Sequence, residues 1–151
     1  MEIGRGSRIQ NGVSVYRGVI INKWCFVGPH VIFTNDLSPR AGTTKWEICK
    51  THLASGSSIG AGSIITCDIS IGRFALIGAG SVVTSNIPDF CLAYGLPARP
   101  VSRVCACGKS RLDFSVHKSE LIRDCCRERL IQEVIELAEQ EIDNMDGPNA
   151  L

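Results

Sequence analysis

Ser57-Ser58-Ile59-Gly60-Ala61-Gly62-Ser63-Ile64-Ile65-Thr66-Cys67-Asp68-Ile69-Ser70-Ile71-Gly72-Arg73-Phe74-Ala75-Leu76-Ile77-Gly78-Ala79-Gly80-Ser81-Val82-Val83 places an aliphatic residue at every sixth position: Ile59, Ile65, Ile71, Ile77 and Val83. Leu53 precedes this series by six residues, and an earlier run keeps the same beat at Ile3, Ile9, Val15, Ile21, Val27 and Phe33. The interval from Phe33 to Leu53 is twenty residues, three hexads plus two. With 44% of the chain apolar, filling all twelve beat positions by chance has a probability of about 10⁻⁴ to 10⁻⁵, so the period reports the fold.

A period of six cannot be helical, because a 3.6-residue turn would scatter these positions around the helix surface. The beat residues are mostly β-branched, which suits a pleated, packed surface. Glycine follows the beat at Gly4, Gly28, Gly60, Gly72 and Gly78, and lies three residues beyond it at Gly6, Gly12, Gly18, Gly56, Gly62 and Gly80. Glycine at fixed phase marks corners. Small side chains recur two residues before the beat, among them Ser7, Cys25, Ser57, Ser63, Ala75 and Ser81. Each hexad therefore reads as one short strand and a corner. A β-sandwich is set aside, because its strands would show period two with turns every 8–12 residues.

This pattern resembles the hexapeptide-repeat family, in which three hexads make one triangular coil of eighteen residues. The resemblance implies an all-β fold, a left-handed parallel β-helix, here with an inserted loop and a C-terminal α-helix. Left-handedness comes from the resemblance alone, since the ordinary crossover preference is right-handed. Three regions are expected: residues 1–88 as the coils with a loop at 34–52, residues 89–118 as an irregular cap holding a Cys-x-Cys-Gly segment, and residues 119–146 as the helix. The apolar spacing of Ile131, Ile135, Ala138, Ile142 and Met145 supports the last. Gly147-Pro148 is read as its stop. The stripe covers barely two heptads, so packing onto the coils is preferred over a trimeric coiled coil.

Composition excludes several classes. Sixteen basic and fifteen acidic residues leave no broad footprint for nucleic acid. No apolar run approaches the roughly 18 residues of a membrane span, and the Met-Glu-Ile-Gly start does not read as a signal peptide. The expectation is a cytoplasmic protein with its eight cysteines reduced.

Three stretches narrow the resemblance. Arg8-Ile9-Gln10-Asn11-Gly12-Val13-Ser14-Val15-Tyr16 is similar to the Lys-Ile-Gln-Asn-Asn-Val-Ser-Val-Tyr segment of sugar N-acetyltransferases that modify nucleotide-linked 3-amino sugars. Gly28-Pro29-His30-Val31-Ile32-Phe33-Thr34-Asn35-Asp36, followed by Pro39-Arg40, resembles their Gly-Pro-x-x-x-Phe-Thr-Asn segment. Gly78 to Thr84 and Gly95-Leu96-Pro97-Ala98-Arg99 resemble their acetyl-CoA side. The resemblance implies a homotrimer with active sites between neighbouring subunits, acetyl-CoA as co-substrate, and a UDP- or dTDP-linked amino sugar bound for surface polysaccharide.

It further implies Asn35 and His30 as catalytic residues, with Arg8, Gln10, Asn11, Tyr16, Asp36 and Arg40 on the sugar nucleotide. Gly60, Ala61, Gly78, Ala79, Gly80, Thr84, Pro97, Ala98 and Arg99 would meet the donor. Departures accompany these matches: Arg8 stands for a lysine, Gly12 for an asparagine, Ser85 for a lysine and Leu96 for an asparagine. Relatives carry two or three further coils before the segment matching Arg8, whereas Met1 stands two residues before the first beat. Two readings stay open, an enzyme and a non-catalytic trimeric scaffold.

N-acyl transfer needs a neutral amine beside the thioester carbonyl, donors for the oxyanion and a route for the amine proton. The Asn35 amide oxygen suits the amine, although an Asx residue also caps turns. His30 and His52 are the titratable candidates near neutrality. Small residues at Gly78 to Gly80 would let backbone N–H groups approach the donor, and the Arg99 guanidinium suits its phosphates. A three-histidine catalytic metal, as in γ-class carbonic anhydrases, is set aside because His117 lies beyond the coils. Cys105-Ala106-Cys107-Gly108 matches a motif that in relatives forms half of a zinc ribbon. Adjacent Cys125 and Cys126 point in different directions on a predicted helix, so reduced thiols are expected here, with structural zinc at Cys105 and Cys107 as the lesser alternative.

Overall fold

A computed structural model describes residues 1–146. The hexads become strands of two or three residues: β1 (Glu2–Ile3), β2 (Arg8–Ile9), β3 (Val19–Ile21), β4 (Phe26–Val27), β5 (Ile32–Phe33), β6 (Thr51–Leu53), β7 (Ser58–Ile59), β8 (Ile64–Ile65), β9 (Ile69–Ile71), β10 (Leu76–Ile77) and β11 (Val82–Val83). The chain deals them in rotation to three parallel sheets: β1-β3-β6-β9 (sheet 1), β2-β4-β7-β10 (sheet 2) and β5-β8-β11 (sheet 3). One passage through the three sheets is a coil, and the turns between sheets are its corners. Ile3 pairs with Ile21, Ile59 with Ile77, and Ile65 with Val83, each eighteen residues apart. Pairings that span the segment after Phe33, such as Ile21 with Leu53, are thirty-two apart, so that segment adds fourteen residues at one corner.

The beat therefore stacks on itself. From Ile21 to Val83 every beat side chain is at most 1% exposed, and all belong to one continuous core. Burying each such side chain is worth roughly 1.5–3 kcal/mol. Of the small residues two before the beat, Cys25, Ser57, Ser63, Ala75 and Ser81 are buried too, and Ser63 and Ser81 satisfy their hydroxyls by donating to the Gly60 and Gly78 carbonyls at 2.8 and 2.6 Å. The first coil differs: Ile3 is 47% exposed, while Ile9 and Val15 are half-buried.

Corners bring bulky rings over glycines. Trp24, Phe74 and Phe90 occupy the corner between sheets 1 and 2 with φ of 58°, 52° and 50°, in column with Gly6 and Gly56. A Cβ on Gly56 would lie 2.5 Å from the Phe74 ring, so only glycine fits beneath it. Phe74 and Phe90 stack with centroids 5.3 Å apart.

The segment after the coils is ordered rather than irregular. β12 (Cys91–Gly95) joins sheet 2 through pairing of Leu92 and Ala93 with Leu76 and Ile77, and β13 (Ala98–Val104) returns antiparallel to it, followed by β14 (Arg111–Leu112). Unpaired donors of the last coil invite this continuation. Pro100 is accommodated opposite Ala93, at the register shift where the ladder is already interrupted.

The single helix expected over 119–146 is also divided. A 3₁₀ turn at Lys118–Leu121 precedes α1 (Asp124–Arg129) and α2 (Gln132–Asp143), and Leu130 and Ile131 between the helices are extended. Ile131 is 56% exposed instead of lying on the stripe. Its spacing alone could not reveal the break, because no proline or glycine marks it. Val134, Ala138 and Ile142 of α2 pack with Phe74, Phe90 and Leu121 on the aromatic corner, which uses the stripe within the chain. Arg73 Nε meets Glu141 Oε2 at 2.8 Å across the same junction. The stop assigned to Gly147-Pro148 lies outside the described residues. Among the described residues no helix is long and apolar enough to cross a membrane.

Ile59→Ala should destabilise the chain by about 2–5 kcal/mol, the range for emptying a sealed core position, whereas Ile3→Ala should cost less than about 1 kcal/mol. Urea denaturation of both variants checks the contrast; equal losses would mean that the first coil is sealed in solution.

Candidate active site

Apart from residues of the first coil such as Arg8, which lies in β2, the expected site residues fall into two groups at opposite edges of sheet 3. At the corner between sheets 2 and 3, Asn11, Pro29, Ala61 and Ala79 form a column, with Gly12, His30, Gly62 and Gly80 beside them at φ of 70°, 59°, 67° and 70°. His30, Gly62 and Gly80 donate their N–H groups to the carbonyls of Asn11, Pro29 and Ala61 at 2.8–2.9 Å. The Gly78 N–H is used as well, on the Ala93 carbonyl. Of the three donors expected at Gly78 to Gly80, two are therefore spent inside the coil. Ala61 and Ala79 are exposed, and their N–H groups find no acceptor among the described residues. Gly60 lets the backbone close up behind them, since a Cβ there would stand 2.4 Å from the Ala79 nitrogen.

His30 shares this corner. Its ring lies over Gly12, whose added Cβ would meet Nδ1 at 2.4 Å, and the residue is exposed. The hairpin extends sheet 2 beside this corner. Its Ala98 is buried, whereas Pro97 and Arg99 are exposed. Among the described residues Arg99 donates to its neighbour Ala98 alone, at 3.0 Å, which leaves most of its guanidinium N–H groups for an anion.

The second group sits at the corner between sheets 3 and 1, where the fourteen extra residues leave the coil. Thr34 accepts the Cys67 N–H on its Oγ1 at 3.0 Å and anchors the loop entry. Asn35 follows, and its Nδ2 donates to the Arg17 carbonyl at 3.2 Å. A carbonyl partner fixes which end of the amide faces the coil and leaves Oδ1 to accept from elsewhere. The Asn35 carbonyl accepts the Cys49 N–H at 3.1 Å, which closes the loop. Asp36 turns the chain through its Oδ1, which accepts the Ser38 N–H at 2.8 Å. Asp36, Arg40 and Trp46 line one open cleft of about 500 Å³. Trp46 was legible only as an aromatic residue in a polar loop, and its part in the cleft follows from the fold.

Thr84 belongs to this edge, in column with Thr34 and Thr66, rather than beside Gly78 to Gly80. Arg8, Gln10, Asn11 and Tyr16 stand exposed on the first coil. His52 lies on sheet 1, in a cleft of about 570 Å³ against α2 where Arg73 bridges Asp89 and Glu141; Asn35 does not line it. His117 caps the 3₁₀ turn by accepting the Ser119 N–H. The three histidines thus lie on separate elements and do not converge. Between the two edges sheet 3 presents Ile32, 41% exposed, and Ile64, 36% exposed, so the strip separating the groups is apolar.

The cysteines depart from expectation. Cys105 and Cys107, in the turn after β13, meet Cys125 and Cys126 of α1, with all four Sγ atoms within 4.8 Å of one another. Adjacent helical side chains do point in different directions, but the turn approaches α1 between those directions, so the divergence brings the thiols around one point. Burial pushes the Cys107 and Cys126 thiols up. At Cys105 it is outweighed by the Ser110 N–H and the neighbouring thiols, which bring it down to about 7, while Cys107 is pushed up to about 12 by burial and by the thiols beside it.

No family model matches the chain. Over 65 residues it is 45% identical to the dTDP-3-amino-3,6-dideoxy-alpha-D-galactopyranose 3-N-acetyltransferase of Aneurinibacillus thermoaerophilus, a stretch that covers 43% of this chain and 33% of that protein. Its structure is similar to a maltose O-acetyltransferase from Clostridium difficile 630, with a TM-score of 0.62 and 26% identity over 67% of this chain and 57% of that one. It is also similar to a serine acetyltransferase solved in complex with CoA, at a TM-score of 0.55 and 28% identity over 66% of this chain and 38% of that one. The chain thus resembles hexapeptide-repeat acetyltransferases in sequence and fold. It spans a third of the length of the curated relative and 57% or less of these two solved chains.

Gly62→Ala meets open space and carries only the backbone strain of φ +67°, about 1–2 kcal/mol. Gly60→Ala drives a Cβ into the Ala79 backbone and should cost clearly more. Paired thermal melts test this, and a milder loss at Gly60 would mean that the corner yields easily.

Proposed function

We propose that the chain is an acetyl-CoA-dependent N-acetyltransferase acting on the amino group of a UDP- or dTDP-linked amino sugar, assembled as a homotrimer around left-handed coils. The observation that carries this reading is the division of the site residues. Donor-type groups, Ala61, Ala79, His30 and Arg99, gather on one edge of sheet 3, and acceptor-type groups, Asn35, Asp36 and Arg40, on the other, with exposed Ile32 and Ile64 between them. A strand and its flanking residues hold the edges apart, since the five residues from His30 to Asn35 span up to about 17 Å when extended. One copy therefore presents two half-sites. Packing of sheet 3 edges between copies would set the acceptor edge of one against the donor edge of the next and bury the apolar strip.

The chemistry follows from these groups. The neutral sugar amine attacks the thioester carbonyl carbon, the carbonyl oxygen takes up negative charge, the C–S bond breaks as the carbonyl re-forms, and the proton lost by the amine ends on the departing CoA sulfur, which leaves as the thiol. Asn35 Oδ1, its amide held by Arg17, accepts one amine N–H and aims the nitrogen lone pair. The Ala61 and Ala79 N–H groups are the available donors on the other edge, and Arg99 supplies a charged fork for phosphate. The 45% identity with a dTDP-amino-sugar 3-N-acetyltransferase supports the choice of an amine acceptor. A second reading, a non-catalytic trimeric scaffold, rests on the departures from the resembled segments, Arg8 for a lysine, Gly12 and Leu96 for asparagines and Ser85 for a lysine.

Light scattering should give a mass near three times 16.3 kDa. A stable monomer would leave the half-sites apart and sink the enzymatic reading. Calorimetric titration with acetyl-CoA should show binding that Arg99→Ala weakens by roughly 1–2 kcal/mol. With a panel of nucleotide amino sugars, Asn35→Ala should lower kcat by about 10²-fold while leaving acetyl-CoA affinity unchanged. Full turnover in that variant would remove Asn35 from the reaction.

A further inference from the structure

We propose that Cys105, Cys107, Cys125 and Cys126 form a tetrathiolate site for one structural zinc ion, which fastens the C-terminal helices to the end of the coils. The geometry is specific. The Sγ atoms of Cys105, Cys107 and Cys125 stand 3.6, 3.8 and 3.7 Å apart in their three pairings, and Cys126 completes a group in which no separation exceeds 4.8 Å. Zinc–sulfur bonds of about 2.3 Å place the sulfurs of a tetrahedron about 3.8 Å apart. Disulfide bonds would require about 2.05 Å. Four thiols arranged around a common point leave each facing three neighbours, an arrangement that a cation stabilises and that apolar packing alone does not require.

The surroundings fit a charged sulfur cluster. The Ser110 N–H approaches Cys105 Sγ at 3.2 Å and Ser110 Oγ lies 3.5 Å from Cys125 Sγ, the outer-shell hydrogen bonds that orient thiolate ligands. The turn that brings Cys105 and Cys107 to one side is made by Gly108 at φ +77°, and the Gly108 N–H returns to the Cys105 carbonyl at 2.8 Å. Cys105 and Cys126 are buried while Cys107 and Cys125 are half-buried, so an ion has an open side for entry. On binding, the four thiols give up their remaining protons to solvent, four Zn–S bonds form and no group changes oxidation state.

The consequence is mechanical. Residues between the turn and α1 form short elements, β14 and the 3₁₀ turn, with little core of their own. A zinc ion would close this segment and hold α1 where α2 can reach the Trp24, Phe74 and Phe90 corner. This inference does not depend on acetyl transfer.

Metal analysis of the purified full-length chain, dialysed without chelator, should find one zinc per chain. Replacement by cobalt should give the thiolate charge-transfer and visible bands of a tetrahedral sulfur site. Cys125→Ser and Cys126→Ser should each lower zinc affinity at least 10-fold, and Cys49→Ser should leave it unchanged. Chelation of the wild-type chain should raise amide hydrogen exchange across 105–143 while strands from Val19 to Val83 stay protected. Should the serine variants fail to fold, the wild-type metal content and cobalt spectrum still decide. A chain that takes up neither ion while all four thiols remain open to alkylation, or one in which mass spectrometry finds a disulfide among them, would overturn the proposal.

Discussion

Backbone hydrogen bonding between successive coils is the constraint on which the rest depends. Gly28 donates to Ile59, Gly60 to Ile77 and Gly78 to Ala93, and each of these bonds holds only if neighbouring coils follow the same path. Identical paths force like positions into columns. Beat residues then stack as one core, and corner residues stack as ladders. In these columns a ring sits over a glycine, Trp24 over Gly6, Phe74 over Gly56 and His30 over Gly12, and only at the end of the aromatic column do two rings, Phe74 and Phe90, stack on each other. Glycine is required on these columns less by a turn type than by the ring in the coil above.

The same constraint decides where chemistry can be placed. Inner positions are filled by the core, and sheet faces expose one side chain per strand. Only corners can bear insertions and exposed backbone donors. The loop carrying Asn35, Asp36 and Arg40 leaves at one corner, and Ala61 and Ala79 present their N–H groups at another. A solenoid that separates its functional residues by a whole sheet is suited to sites shared between copies, and the exposed Ile32 and Ile64 lie on the intervening sheet.

Beyond the coils the chain changes its means of stabilisation. The hairpin of β12 and β13 caps the hydrogen bonding of sheet 2, and α2 shields the aromatic corner. Between them lies a segment of short elements whose apolar residues, Leu112, Val116 and Leu121, join the core beneath α2 rather than build one of their own, and there the four thiols converge. Small regions without an adequate core often rely on cross-links or metals, and this location matches that need.

Sequence alone determined the six-residue strand-and-corner unit, the core residues from Ile21 to Val83 and the existence of an inserted loop, because a repeat encodes its fold in positions a fixed distance apart; the eighteen-residue coil came from the family resemblance, and the pairing of Ile3 with Ile21 and Ile59 with Ile77 bears it out. The apolar stripe of α2 was legible for the same reason. Tertiary structure decided what no local period carries: the hairpin in place of an irregular cap, the break at Leu130 and Ile131, and the assignment of Thr84 to the acceptor edge. It also decided that Asn35 and Gly80 lie on different corners, and that Cys125 and Cys126, adjacent and divergent on a helix, surround a common point with Cys105 and Cys107. Each depends on how separate segments approach in space, and that approach is set by packing over the whole chain rather than by spacing within it.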